Sequence, residues 1–330
     1  MNRKKLISNL KSLDKHSFDS AALDLFRYQY RNNSIYKSWV DALNIKASDI
    51  IVLEDIPFLP ISAFKNHDVV SHIGNVSKIF KSSSIIDSAS SRHLVFDMDL
   101  YLENTERIFS DFYQPVEGYC FLALLPNYLE RGGSSLVAMV EHFIKKSTYS
   151  DSGFYLYDHS KLNSKLLHCQ RKGIPTVLFG VSFALLDYLD EHKHDFTELI
   201  VVETGGMKGR KKEMTKPQLQ KLLAEGFGVN QVHSEYGMTE LFSQAYSKSG
   251  GKFFPSKSTR FLTKEITDPF CNAHYGKPGV INIIDLANID SCAFIETQDL
   301  GKLYDDGSFE VLGRLDTADI RGCNLMVSDL

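Results

Sequence analysis

From Phe18 onward the apolar residues Ala21, Leu23, Leu25, Phe26 and Tyr30 recur at mixed three- and four-residue intervals, which predicts a helix with one buried face over 18–30. A second, shorter helix is expected over 35–43. The stretch IPFLPISAF at 56–64 breaks this pattern, because Pro57 and Pro60 each remove a donor and restrict the preceding residue; it reads as an extended connector. Beyond it, apolar strand runs and amphipathic helix runs take turns. Strands are predicted at 119–125, 153–157, 175–179, 198–202 and 229–232, and helices at 134–145, 162–171, 183–192 and 216–225. Such alternation implies an α/β fold with a largely parallel sheet covered by helices on both faces. After Gly276 the pattern changes to short β-branched runs at 280–284 and 293–297, with a hairpin turn at Asp306-Gly307. Residues 1–330 therefore read as one domain, with a helical segment to 75, an α/β core over 76–275 and a β-rich part over 276–330. No internal repeat, low-complexity tract or flexible linker divides it.

Composition adds mostly exclusions. With 43% apolar and 24% charged residues, the 330-residue chain can bury one large core or two modest ones. A net charge of -4, with scattered Lys and Arg, supplies no basic field, so no nucleic acid partner is expected. Cys120, Cys169, Cys271, Cys292 and Cys323 are odd in number and lack CxxC spacing, which argues against a disulfide framework or zinc knuckle and for a reducing cytoplasm. The longest apolar runs fall short of the roughly 20 residues a membrane span requires. The basic start, MNRKKLISNLKSL, turns polar too soon for a secretory signal, so a cytoplasmic protein is expected. GxGxxG and GxxxxGK[ST] are both missing, which removes dinucleotide enzymes and ordinary P-loop NTPases. Gly132-Gly133-Ser134-Ser135 lacks the GxSxG arrangement, and Ser134 reads as a helix cap.

The most specific chemical signal is Ser234-Glu235-Tyr236-Gly237-Met238-Thr239-Glu240, following a strand candidate. An aromatic ring there can lie along adenine, the turn can bring backbone near an α-phosphate, and the following carboxylate can hold magnesium. Upstream, Glu203-Thr204-Gly205-Gly206 ends another strand, where bare glycine backbone lets a flat purine approach. Downstream, Thr297-Gln298-Asp299-Leu300-Gly301 places a carboxylate after a strand, suited to ribose hydroxyls, and Arg314 in Gly313-Arg314-Leu315-Asp316 can reach ribose or phosphate.

These four segments follow the order and approximate spacing of the adenylate-forming superfamily. More narrowly, IPFLPI at 56–61, LLPNYLER at 124–131, ETGGMKGR at 203–210 and RGCNL at 321–325 make the chain similar to the LuxE-type acyl-protein synthetases, from about residue 18 to the end. The resemblance implies the N-terminal-type core of that superfamily, with mixed and parallel sheets and with the full C-terminal lobe absent. It implies a ligase that uses ATP and Mg2+ to convert a fatty or other carboxylic acid to an acyl-adenylate, then passes the acyl group to a thiol. Cys323 matches the family's acyl-accepting cysteine, and Arg321 beside it favours the thiolate. The implied roles are Gly205, Gly206, Glu235, Tyr236, Gly237 and Met238 around the nucleotide, Asp299 and Arg314 on ribose, and Thr239 with Glu240 at the phosphates, Glu240 holding the metal. An acyl acceptor protein, reductase or carrier would be the partner.

One segment departs from the family. The phosphate loop, approximately Ser-Ser-Gly-Thr-Thr-Gly in relatives, reads Ser82-Ser83-Ser84-Ile85-Ile86-Asp87 here, while the trailing Ser91-Arg92-His93 is kept. Ser82, Ser83, Arg92 and His93 remain as phosphate or carboxylate partners. Both glycines that let backbone N–H groups converge on phosphate are gone, and Asp87 sets a carboxylate where the triphosphate would lie. Losing two hydrogen bonds to a charged group weakens binding by roughly a hundredfold or more. Three readings follow: a slow adenylating enzyme, a binder or relay of acyl groups activated elsewhere that consumes no ATP, and a non-catalytic scaffold.

Overall fold

The computed structural model of the protein describes residues 2–14, 16–82, 90–126, 132–205 and 214–315. Helices α1 (Arg3–Lys11), α2 (Phe18–Asn32) and α3 (Ser34–Ala42) open the chain. In α2, Phe18, Ala22, Leu25, Phe26 and Gln29 make the buried face, spaced as one side of a 3.6-residue helix. Asn33 separates α2 from α3 and caps the latter, its carboxamide oxygen accepting from the Tyr36 N–H at 3.0 Å. Strand β1 (Leu59–Pro60) and the single turn α4 (Ala63–Asn66) follow, so the expected connector is extended in its first half and coils at its end. An antiparallel pair, β2 (Lys78–Lys81) with β3 (Arg92–Val95), and helix α5 (Met98–Phe112) come next; the hydrophobic pattern alone had not separated these elements.

The alternating region forms a six-stranded sheet. Its strands are β4 (Cys120–Leu124), β5 (Gly153–Phe154), β6 (Thr176–Val181), β7 (Ile200–Thr204), β8 (His233–Tyr236) and β9 (Ala245–Ser247). They lie in the order β5-β4-β6-β7-β8-β9, parallel up to β8, with β9 antiparallel at the edge. Helices α6 (Ser135–Lys146), α7 (His159–Lys172), α8 (Ser182–Glu191) and α9 (Lys216–Phe227) make the crossovers, as the alternation predicts. Strands β4 and β6 are buried along their whole length, which is why they appear in the sequence as unbroken apolar runs. The strand expected at 229–232 lies instead at His233–Tyr236. Buried His233, Ser234 and Glu235 disguise it as polar loop.

The second sheet is antiparallel. It comprises β10 (Lys252–Phe253), β11 (Thr259–Lys264), β12 (Pro278–Asp285), β13 (Phe294–Leu303) and β14 (Phe309–Arg314), in the order β10-β14-β13-β12-β11. The short β1 joins alongside β13 in parallel, Leu59 opposite Ile295. The turn between β13 and β14 contains Gly307 at φ 79°, as its Asp-Gly pair predicts. Strand β13 runs on through Asp299, which is therefore inside a strand and not beyond its end as expected. Gly301 sits at a register shift between β13 and β14; a Cβ there would fall 2.4 Å from the Glu310 carbonyl oxygen and 2.5 Å from Ile281 Cδ1. Since the first contact is backbone, Gly301→Ala is expected to lower unfolding free energy by about 1–3 kcal/mol in urea titration. An unchanged midpoint would show that the sheet yields there at no cost.

Buried apolar side chains gather in two clusters. One lines the parallel sheet and includes Phe109, Phe121, Phe143 and Phe179. The other, with Phe26, Tyr36 and Phe294, joins α1–α3 to the antiparallel sheet, so the two ends of the described chain share one core. Gln29 stitches them, donating to the Asn288 carbonyl at 2.9 Å and accepting from the Ala293 N–H at 2.9 Å. Tyr236, at the end of β8, carries the parallel sheet into this second cluster.

Candidate active site

The segments singled out in the sequence meet at the end of β7 and β8 and the facing part of β13 and β14. Residues Thr204 and Glu235 are register partners on adjacent strands, and the Thr204 hydroxyl donates to Glu235 Oε2 at 2.6 Å. Burial raises the Glu235 carboxyl to about 7, opposed by that hydrogen bond and reinforced by nearby Glu203. A Cβ at Gly237 would stand 2.4 Å from Glu235 Oε1, so only glycine leaves this carboxylate its place. Gly205 follows the last residue of β7 at φ 71°, and its carbonyl accepts from the Ser182 hydroxyl at 2.9 Å.

Beneath them lies a buried polar network. Glu203, fully buried, accepts from Ser182 Oγ at 3.1 Å, from Ser234 Oγ at 2.6 Å and from the Lys216 ammonium. The Lys216 Nζ also lies 5.5 Å from the centre of the Phe253 ring. Phe253, Phe261 and Phe309 in turn meet the Tyr236 ring edge-on, at centroid distances of 5.9, 6.0 and 5.5 Å. The Tyr236 ring is thus partly buried in an aromatic cluster, and its hydroxyl donates to Asp299 Oδ2 at 2.8 Å. Asp299 faces Arg314 directly across β13 and β14. The Arg314 charge acts on Tyr236, Asp299 and Glu240 alike, which gathers three residues from two other segments around one cation. Burial raises the Asp299 and Glu240 carboxyls from their ordinary range, and Arg314 opposes both shifts.

The turn after Tyr236 is pinned from beneath. Asp285 accepts from the Phe242 and Ser243 N–H groups at 2.8 and 2.9 Å, and Asn288 donates to the Glu240 carbonyl at 2.8 Å. Asn104 of α5 donates to the Phe242 carbonyl at 2.9 Å. None of these three was singled out in the sequence. Asp285 carried a signal, a carboxylate closing the apolar run INII, which burial obliges to find donors. His93, expected to meet phosphate or carboxylate, is completely buried between Phe64, Phe80 and Phe242, and its Nδ1 lies 2.8 Å from the Thr239 carbonyl. Burial holds it neutral, down to about 4. As placed, it steadies the Thr239-Glu240 turn and offers no surface to a ligand. Arg92 points the other way, at the surface, pairing with Asp68 at 2.8 Å.

Ser82 and Ser91 close the base of the phosphate-loop segment. The Ser82 N–H donates to the Ser91 carbonyl at 3.1 Å, and the Ser91 N–H to Ser82 Oγ at 2.9 Å. The Ser91 hydroxyl also lies at buried Glu240, so the loop base and the expected metal carboxylate adjoin. Met238 is partly buried against the second core, its sulfur 3.6 Å from the Tyr236 hydroxyl. Gly206, Ser83, Asp87 and Cys323 lie outside the described residues. Among the described residues, no cluster of three or more His, Cys, Asp or Glu could by itself hold a metal ion, and no helix is long and apolar enough to cross a membrane.

No protein-family model matches the chain, and no curated protein matches it in sequence. Solved structures do. A 2-hydroxyisobutyryl-CoA ligase, in complex with 2-HIB-AMP and CoA in the thioesterification state, is similar at a TM-score of 0.70 and 13% identity, over 92% of this chain and 69% of that one. Its open conformation gives 0.64 over 91% and 70%. ATP-bound MatB from Rhodopseudomonas palustris is similar at 0.54 and 16% identity, over 74% of this chain and 50% of its own. At such identities the likeness is one of fold: the chain has the α/β architecture of the N-terminal core of adenylate-forming enzymes.

Proposed function

We propose that the protein activates a carboxylic acid with ATP as an acyl-adenylate and passes the acyl group to a thiol. The observation that carries this reading is the Tyr236 to Asp299 hydrogen bond with Arg314 opposite, which draws three of the motif segments into one place. The same fold binds 2-HIB-AMP and CoA in one solved ligase and ATP in another. In the first step a substrate carboxylate oxygen attacks the α-phosphorus and pyrophosphate leaves. In the second a thiol sulfur attacks the acyl carbon and AMP leaves, giving a thioester.

The chain's own groups divide this work. Gly205 and Gly237 allow close approach of the nucleotide, Asp299 takes ribose hydroxyls on release from Tyr236, and Arg314 supplies the charge at ribose or phosphate. Glu235, held largely as the neutral acid below pH 7, adds no second anion beside the triphosphate. Glu240 makes no ion pair among the described residues, and Mg2+ needs only one or two carboxylates when phosphates and water complete its shell; Glu240 would hold it. Bound there, the ion neutralises phosphate charge. Cys323 would accept the acyl group, and a fatty acid is the substrate that the LuxE-type resemblance suggests, with a protein, reductase or carrier as the next acceptor. The unusual phosphate loop favours a second reading, an acyl relay without ATP cleavage.

Carboxylate-dependent exchange of labelled pyrophosphate into ATP separates the two. Wild type should exchange slowly and Asp87→Gly about tenfold faster, from relieved repulsion at the phosphates. Cys323→Ala should keep exchange and lose covalent acyl label. No exchange in wild type or Asp87→Gly, with long-chain and short-chain acids both tried, would overturn adenylation and leave the relay and the non-catalytic scaffold.

A further inference from the structure

Cys120 and Cys169 belong to none of the motifs singled out in the sequence, and the proposed reaction uses neither. Cys120 begins β4 and Cys169 lies on α7, 49 positions apart, yet their sulfurs are 3.8 Å from one another. Both are free thiols, buried against the parallel sheet. Thr176, the register partner of Cys120 on β6, stands beside the pair. A cavity of about 50 Å³ runs in from the surface here. Leu166, Phe196, Thr176 and Cys169 line its buried part, and Gln170 and Glu198 are on its exposed rim; Cys120 does not line it. Such a volume admits water-sized molecules. The two thiols are therefore unequal in access: small solutes meet Cys169, and Cys120 waits behind it.

We infer that Cys169 and Cys120 form a peroxide-reactive dithiol that closes to a disulfide between α7 and β4. The Cys169 sulfur attacks one oxygen of hydrogen peroxide, the O–O bond breaks, and hydroxide leaves and is protonated to water. Cys169 becomes a sulfenic acid. The Cys120 sulfur then attacks the Cys169 sulfur, the S–O bond breaks, and a second water leaves with the Cys120 proton. Two thiols are oxidised, one peroxide is reduced, and the S–S bond remains. The surroundings fit this order. The Cys169 thiol is lowered to about 7, first by the hydrogen bond from Cys120 and further by the Thr176 hydroxyl, against burial and the Asp151 carboxylate, which the paired Lys165 partly offsets; the Cys120 thiol is pushed up by its neighbour and by burial. Cys169 thus has the greater thiolate character as well as the access.

The test uses the full chain, treated with hydrogen peroxide, alkylated under denaturing conditions and mapped by mass spectrometry. A Cys120–Cys169 linked peptide should form, disappear with dithiothreitol, and raise the thermal midpoint of the oxidised protein. In Cys120→Ser, dimedone should capture a sulfenic acid at Cys169, at a rate at least tenfold above that of exposed Cys271 in the same sample. In Cys169→Ser no label should appear at Cys120. Failure of wild type to form the linked peptide overturns the proposal without recourse to any variant, and labelling of Cys120 in Cys169→Ser overturns the assigned order. Adenylation plays no part in these readouts.

Discussion

Relative to Glu235→Gln, the unaltered protein is expected to lose up to about 3 kcal/mol of stability as the pH rises from about 5 to about 8. Glu235 is 7% exposed, and burial is the chief reason its carboxyl holds a proton up to about 7 in the folded chain. Unfolded, it releases that proton at the ordinary glutamate value of about 4.3. Between these values the folded state binds more protons than the unfolded one. The contribution is therefore complete below the unfolded value and fades as pH climbs through the folded one. His93 and His233 are held down to about 4 and push in the opposite direction between about 4 and 6.5, so the two proteins must be compared at each pH. Denaturant midpoints taken in steps across the range give the answer. Parallel curves for variant and wild type would mean that Glu235 ionises normally and that no protonated acid stands at the end of β8.

Replacing Glu203 by Ala should cost about 3 kcal/mol of unfolding free energy, near the lower end of what breaking a buried ion pair costs. Glu203 is fully buried and is the acceptor for three donors, the hydroxyls of Ser182 and Ser234 and the ammonium of Lys216. Its removal strands the Ser234 hydroxyl in the core, while the Ser182 hydroxyl keeps the Gly205 carbonyl as acceptor. The Lys216 side chain keeps about a third of its surface, at 32%, and can turn toward water, which is why the upper end is not expected. Glu203→Gln should recover part of the loss, because an amide oxygen still accepts from the serines while the charge is gone. A loss below about 1 kcal/mol in urea titration would indicate that water enters to satisfy the network, leaving it no structural weight beneath the site.

Both variants act on the same strand pair, and that is informative about how the cleft is built. The ends of β7 and β8 place two carboxylates on opposite faces of the sheet, Glu203 ion-paired in register with Ser234 and Glu235 protonated in register with Thr204, next to the glycines expected to meet the nucleotide. Hydrogen bonds donated by Asn104 and Asn288 and accepted by Asp285 hold the following turn from helix α5 and from the far end of β12. A rigid support of this kind keeps donors and glycine backbone in position without help from a ligand.

The chain's own letters determined what depends on near neighbours. Fully buried β4 and β6 had to be continuous apolar runs, the crossover helices had to alternate with them, and Asp306-Gly307 had to turn, since each follows from burial or backbone sterics over a few residues. The Tyr236, Asp299 and Arg314 segments were legible as pieces through their resemblance to superfamily signatures and not through burial, since β8 is polar and Asp299 lies inside β13. Tertiary structure alone decided what depends on residues far apart in the chain. It shifted the signature into β8, carried β13 past Asp299 to face Arg314, and sealed His93 inside three phenylalanines. It also gave the first helices and the last strands one core, and set Cys120 against Cys169. A buried polar residue and an exposed one look alike in a sequence; only the packing that removes water, and the donors that packing brings within 3 Å, distinguishes them.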